Sequence, residues 1–419
     1  MRSAAWVALM MLGACQTMPF DKEDRPPNIV LIISDDQAWG DFGFMGHPHI
    51  RTPNLDRLAK RSAVFPRGYV PSSLCRPSLA TMITGLYPHQ HGITGNDPPQ
   101  GVRRERMLKH IAAVSTLPKL LTERGYRSLQ TGKWWEGNCQ CADFTDGMTH
   151  GDRARGGRHG DEGLKIGRKT MQPIFDFVKD CDEQPFFVWY APFLPHMPHN
   201  PPERLHSGYL DAGFSEHVSR YYAMCEWFDE TCGQLLDHLD ERGLADDTVV
   251  LFAVDNGWIQ RTDRRGYAAR SKRSPYDGGV RTPVMVSWPD HIVPGERSEL
   301  VSTIDLVPTA LRASGAHIPG ELPGNDLIAV ASAGLRNQRA VFGEIYSHDV
   351  ADIDDPSRSL LYRWVIDGRW KLIVPTAEGA ATELFDIVAD PYEKHSLVKA
   401  QLGRVESLRR QLDSWWQPN

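Results

Sequence analysis

Continuous apolar runs that end in polar residues recur along the chain. Asn28–Ser34 (NIVLIIS) is apolar at successive positions, so both faces must be buried, as in a central parallel strand, and it delivers Asp35 and Asp36 at its carboxyl end. Thr248–Val254 delivers Asp255 and Asn256 in the same way, and the run 185–190 is followed by Pro195 and His196. Helical segments are predicted between the runs, at 54–61, 116–124 and 163–179, with a further helix over 221–239. Strands alternating with helices imply an α/β sheet covered on both faces, whose ligands gather at the carboxyl ends of the strands. From about Gly343 the pattern changes to short alternating strands, at 361–367, 370–374 and Glu383–Asp386, ahead of a last helix over 404–416.

Composition fits this picture. With 419 residues, 41% hydrophobic and 24% charged, the chain can bury a core large enough for one large domain and a smaller one. The formal net charge of -6 gives no sign of a nucleic-acid binder. The first residues read differently. Arg2 precedes an apolar run, 4–12, that is too short to cross a bilayer, where roughly twenty residues are needed, but suits a signal-peptide core. Leu12-Gly13-Ala14-Cys15 resembles a bacterial lipobox, which implies a lipoprotein signal peptide at 1–14, a lipid anchor on Cys15 and a tether over 15–26. The expected location is the bacterial cell envelope, periplasm or outer membrane, with secretion as the second choice.

Seven cysteines are present, at 15, 75, 139, 141, 181, 225 and 232. Cys225 and Cys232 fall on one predicted helix about 10 Å apart by helical rise, beyond disulfide reach, and read as core thiols. Cys139-x-Cys141 alone is weak support for a zinc site. Cys75 stands apart. It begins a predicted helix, flanked by Ser72, Ser73 and Arg76, where unpaired N–H groups and half a positive charge favour an anion and a reactive thiol-derived group. An isolated cysteine is more often a buried structural one.

The strand tips carry a second chemistry. Asp35, Asp36, Asp255 and Asn256 offer four oxygen ligands that would repel if gathered without a cation, and Ca²⁺ or Mg²⁺ accepts such ligands. Asp-Asp after a strand is by itself commonly a turn or helix cap. Its pairing with Asp255-Asn256-Gly257 favours the cation, Ca²⁺ ahead of Mg²⁺ because Mg²⁺ demands a stricter octahedron.

Cys75-Arg76-Pro77-Ser78-Leu79, running on to Thr84-Gly85 and Leu86-Tyr87-Pro88-His89-Gln90-His91-Gly92, resembles the sulfatase signature Cys-x-Pro-Ser-Arg followed by a helix ending in Leu-Thr-Gly. Thr131-Gly132-Lys133-Trp134-Trp135-Glu136-Gly137 resembles the family's Thr-Gly-Lys-Trp-His-x-Gly, and the run from Lys272 to Tyr276-Asp277-Gly278-Gly279-Val280-Arg281 extends the likeness. So does Glu383-Leu384-Phe385-Asp386 with Asp390-Pro391 and Glu393. The resemblance implies an alkaline-phosphatase-like fold, a large, mostly parallel mixed sheet flanked by helices over 27–342, and a small antiparallel sheet with a packed helix over 343–419. It implies that Cys75 is oxidised to formylglycine by a maturation enzyme and that Asp35, Asp36, Asp255, Asn256 and the Cys75-derived group bind calcium. Lys133 and Lys272 match sulfate-binding lysines, and His196 matches the histidine after the third strand.

Two positions depart from the family. Leu79 stands where it has arginine and Trp135 where it has histidine. Arg76 is expected to restore the missing charge if it turns inward, and His89 or His91 to stand in for the histidine. Asn96, Asp97, Trp258 and Arg261 are expected at the substrate rim. A sulfate ester needs positive charge on its nonbridging oxygens, which Ca²⁺, Lys133 and Lys272 supply, and a proton for the leaving alcohol, from His196 or Lys272. The resulting expectation is a sulfatase acting on a sulfated carbohydrate. A phosphoester hydrolase of the same superfamily and a non-catalytic protein that binds sulfated glycan remain as alternatives.

Overall fold

The computed structural model describes residues 25–152, 154, 159–333 and 339–418. The expected signal peptide and the anchor on Cys15 lie outside the described residues. Strands β1 (Asn28–Ser34), β2 (Ala63–Tyr69), β3 (Arg127–Gly132), β4 (Asp146–Gly147), β5 (Phe186–Ala191), β6 (Thr248–Val254), β7 (Arg281–Ser287), β8 (Gly295–Glu296) and β9 (Val301–Ser302) form one sheet. Its order is β4-β3-β5-β1-β6-β7-β2-β8, with β9 also on β2. Pairing is parallel from β4 through β6 and antiparallel on both sides of β7, so β2 again runs in the direction of β6.

Alternation along β1 explains the two layers of the core. Ile29, Leu31 and Ile33 pack on one side with helices Cys75–Thr84, Leu117–Thr122 and Leu306–Ser314. Val30 and Ile32 pack on the other with Pro53–Lys60, Gln172–Cys181 and Glu216–Glu241. The strand is therefore apolar at every interior position because both neighbours are helical layers. The helix expected over 163–179 is broken: a 3₁₀ turn at Glu162–Lys165 gives way at Gly167, which has φ +70, and the helix proper restarts with a proline in its first turn. The helix expected over 221–239 is longer, because Ser215 caps it by accepting the N–H of Val218.

A second sheet is antiparallel, in the order β10 (Val341–Tyr346), β11 (Leu360–Asp367), β12 (Trp370–Pro375), β13 (Glu383–Asp386). The helix Leu402–Trp415 covers one face through Leu408 and Leu412. The other face, with Val341, Ile345, Trp364, Ile366, Ile373 and Phe385, joins the core of the large sheet. The expected division at 342/343 falls inside β10. That strand presses on the loop leading to Cys75: a Cβ on Gly343 would meet the Pro71 carbonyl at 2.2 Å, and Glu344 donates its N–H to that carbonyl at 2.9 Å.

Candidate active site

Six segments converge at one end of the large sheet. β1 and β6 are parallel neighbours in register, Ser34 beside Val254, and Asp255 N–H donates to Ser34 O at 2.9 Å. Asp35-Asp36 and Asp255-Asn256 therefore emerge side by side. Asp36 takes a left-handed turn, φ +60, and its N–H is held by Asp255 Oδ1 at 2.9 Å. β2 leads through 70–74 to the helix whose first residue is Cys75. β3 ends in Gly132, φ +77, where a Cβ would meet Ala191 O at 1.8 Å, and this close approach delivers Lys133. β5 leads to His196, and the segment before β7 brings Lys272.

These side chains meet in a buried network. Lys133 Nζ donates to Asp35 Oδ1 at 2.6 Å and to Asp255 Oδ2 at 3.2 Å. Lys272 Nζ donates to Asp36 Oδ1 at 2.5 Å and to Cys75 Sγ at 3.0 Å, and Asn256 Nδ2 donates to Asp36 Oδ1 at 2.6 Å. His196 Nδ1 lies 2.6 Å from Met197 O; a carbonyl only accepts, so Nδ1 carries the proton and Nε2 turns its lone pair toward Asp36 Oδ2, 3.3 Å away. Asp35 Oδ2, Asp36 Oδ2 and Asn256 Oδ1 are buried and accept no hydrogen bond. Asp35, Asp36, Cys75 and His196 can each bring one ligand atom within 4.8 Å of the others. Buried acceptors without donors, one of them facing the lone pair of His196 Nε2, fit a bound cation. Both oxygens of Asp255 are already engaged, by Asp36 N–H and Lys133.

The electrostatics follow from burial and sign. Burial pushes Asp35 well above the usual carboxylate range, Lys133 opposes this, and Asp255 and Asp36 add to it. Burial works against the charges of Lys133 and Lys272, yet the facing aspartates outweigh it and hold both ammonium groups above the ordinary lysine range. Burial raises the Cys75 thiol to about 11 against the pull of the two lysines. Burial, then Lys133 and Lys272, hold His196 well below the usual imidazole range, so it is neutral at pH 7.

Asp35, Asp36, Cys75, Lys133, His196, Asp255, Asn256 and Lys272 are thus brought together. Other expected residues are not. The inward role expected of Arg76 is corrected: its guanidinium is buried on Glu136, at 2.6 and 2.7 Å, and also donates to Gly95 O and Met107 O, so its charge is spent away from Cys75. His89 does not stand in for the missing histidine, because its ring is bound to Glu344 at 2.7 Å and stacked on Trp416. Nor does His91, buried with Nε2 on Thr81 and Nδ1 accepting the Ile93 N–H. Asn96 accepts the Arg76 N–H at 3.0 Å and so caps the Cys75 helix, while Asp97 pairs with Arg104. Arg261 pairs with Asp263.

Two features escaped the sequence reading. His159 lies beside Trp135, ring centroids 4.8 Å apart, and beside His196, 5.4 Å apart. No spacing signal marks it, since tertiary folding alone brings it there. Glu136 could have been found: it and Arg76 occupy the free positions of two quoted motifs, and a buried charge at one calls for its opposite at the other. Beside the cluster, a cavity of about 900 Å³ is walled by Trp39, Asp41, Phe214, Tyr221, Tyr222 and Trp258 among others, because residues 38–41 follow Asp36 and 258–260 follow Asn256.

Comparison with known proteins agrees with this geometry. The family model described as Sulfatase matches residues 27–316, and one described as N-sulphoglucosamine sulphohydrolase, C-terminal, matches residues 267–415. Human arylsulfatase A is 31% identical over 358 residues, covering 72% of this chain and 67% of that protein. The ulvan-active sulfatase of Formosa agariphila is 26% identical over 459 residues, covering 99% and 85%. The crystal structure of Ps i-CgsB superposes with a TM-score of 0.78 at 24% identity over 94% of each chain. The strand tips, the helix opening on a cysteine, the small antiparallel sheet and the matched models together assign the chain to the sulfatase family, sulfuric ester hydrolases of the alkaline-phosphatase-like superfamily.

Proposed function

We propose that the protein hydrolyses a sulfate ester on a sulfated carbohydrate, using Cys75 converted to formylglycine by a maturation enzyme and Ca²⁺ held by Asp35, Asp36, Asp255, Asn256 and the Cys75-derived group. The observation that carries the reading is the gathering at Cys75 of two buried lysines and three buried oxygens without donors. Bound Ca²⁺ would supply positive charge to the sulfate oxygens. The chain's own groups supply the rest. Lys133 and Lys272, kept charged by the aspartates, donate to nonbridging oxygens as charge develops on them. Neutral His196, its Nδ1–H anchored on Met197 O, presents Nε2 to take and hold a proton, and Lys272 is the nearest cation to Cys75 from which the leaving alcohol can be protonated. The aromatic walls of the large cavity give sugar rings apolar faces to lie against, and the ulvan-active relative supports a saccharide substrate.

The test is mass spectrometry of the Cys75 peptide from protein made in a maturation-competent host, together with sulfate release from defined sulfated sugars. An aldehyde at position 75 is expected, and Cys75→Ala is expected to keep the fold and lose turnover. Unmodified thiol in active protein overturns the formylglycine step. Phosphate release equal to or faster than sulfate release by matured enzyme moves the function to a phosphoester hydrolase, and unmodified, inactive protein from the native host leaves glycan binding without catalysis. Localisation in the cell envelope through a lipid on Cys15 belongs to the same proposal, supported by the run 4–12 and the lipobox; incorporation of labelled fatty acid, abolished by Cys15→Ala, tests it.

A further inference from the structure

A second cavity, of about 430 Å³, has His196 in its wall. Its walls include His196, His199, His217, Arg220, Arg265 and Gln260, and none of its lining residues is acidic. Both arginines have donors to spare. Arg265 is exposed and makes no hydrogen bond or ion pair among the described residues, and Glu216 takes only Nε of Arg220. Burial holds His199 down to about 4, with Asp36 opposing the shift and Arg168, Arg220 and Arg265 adding to it. The large cavity differs: it is aromatic, and carries Asp41 and Glu393 as well as Arg270 and Lys394.

Position ties this cationic cavity to the reaction centre. His196 lines it and also faces Asp36, and Gln260 lines both cavities. A saccharide whose sulfate ester sits at Cys75 therefore has within its reach an aromatic wall and, past His196, two guanidinium groups with unused donors. We propose that the cavity lined by Arg220 and Arg265 binds a second anionic group of the same saccharide, a sulfate or a carboxylate, so that the preferred substrate carries at least two negative charges. The inference rests on the sulfatase reading and deepens it. Guanidinium suits both anions because its paired donors match two oxygens of either.

The experiment compares oligosaccharides of one backbone: a monosulfated one, a disulfated one, and one with a uronate in place of the second sulfate. The wild-type protein is expected to prefer one or both doubly charged substrates in kcat/KM, and the preference should shrink as salt rises. Which of the two is preferred identifies the anion. Arg220→Ala and Arg265→Ala should each lower the doubly-to-singly charged ratio by about tenfold, and the double variant should bring it close to one. A wild-type ratio near one, or a ratio unmoved in the double variant, overturns the proposal. Binding of the same oligosaccharides to Cys75→Ala protein, by calorimetry, separates this from the sulfatase reading. If no substrate releases sulfate yet doubly charged ligands bind more tightly through the two arginines, the sulfatase reading fails and the second-anion site stands.

Discussion

Lys371 and Lys272 are both buried lysines held against carboxylates, and their surroundings end differently. Lys371, on β12, lies 2.8 Å from Asp277 Oδ1 and 2.8 Å from Glu393 Oε1. Glu393 Oε2 accepts the Asp277 N–H at 2.6 Å, and Asp277 Oδ2 faces the Tyr69 hydroxyl at 3.3 Å and Arg281 at 3.7 Å. Every carboxylate oxygen there has a cation or a donor beside it, Glu393 Oε1 facing the Lys371 ammonium as an ion pair although it accepts no hydrogen bond. At Cys75, three carboxylates face two lysines, and three acceptor oxygens have no donor. The closed cluster ties the small sheet to the segment before β7. The open one holds unrelieved negative charge, a loss of stability that only a bound group recovers. Clusters of the same residue types can thus be told apart by whether each carboxylate oxygen has a cation or a donor beside it.

The sharpest way to break this contrast is to remove one carboxylate from the open cluster. Asp35→Asn keeps the shape and deletes a charge, so kcat/KM is expected to fall by about 10²- to 10³-fold, as loss of transition-state charge stabilisation does. Metal-free melting temperature is expected to stay unchanged or rise, because repulsion with Asp36 and Asp255 is relieved. Retained turnover with a lower metal-free melting temperature would reverse the assignment of the two clusters.

The closed cluster should respond the opposite way. Lys371→Met strands Asp277 and Glu393 without their cation, with an expected loss of about 3–5 kcal/mol in urea unfolding and turnover per folded molecule changed only a few-fold. Arg76→Met belongs to the same class, since it leaves Glu136 buried and alone, and a similar loss is expected. Replacing Glu136 by leucine in that background should return much of it. If Arg76→Met instead removed turnover while sparing stability, Arg76 would act on the reacting group after all.

What the chain's pattern revealed is what short-range order determines. β1 and β6 are legible because burial on both faces forces unbroken apolar runs, and parallel neighbours carry their next residues to the same edge, which is why Asp35, Asp36, Asp255 and Asn256 could be grouped. Lys133, His196 and Lys272 were legible only through motif context. Arg76 was misread because a charge beside the cysteine in sequence turns to a partner sixty positions on. His159, the aromatic cavity and the arginine pair at 220 and 265 depend on loops whose meeting no local period encodes. The break at Gly167 was missed because a single glycine in a helical pattern reads as tolerable until its positive φ is seen.

The mildest test of the contrast uses pH. Burial pushes the Glu393 carboxyl from about 4.5 up to about 7, with Lys371 opposing the rise and Asp277 adding to it. At pH below 4.5 the group is protonated in folded and unfolded chains alike and contributes no slope. Between there and about 7 the unfolded chain releases the proton while the folded one keeps it, so ionisation favours unfolding and stability falls as pH rises. The full loss is about 3 kcal/mol and is complete above pH 7, where both states are ionised. Glu393→Gln cannot release this proton, so unfolding free energies measured in urea from pH 4.5 to 8 should lose that downward component relative to wild type. The site at Cys75 should leave the difference between the two profiles untouched, since its aspartates are present in both proteins. Parallel profiles would mean that Lys371 keeps Glu393 ionised across the whole range, and the closed cluster would then be a fixed ion pair with no proton to lose.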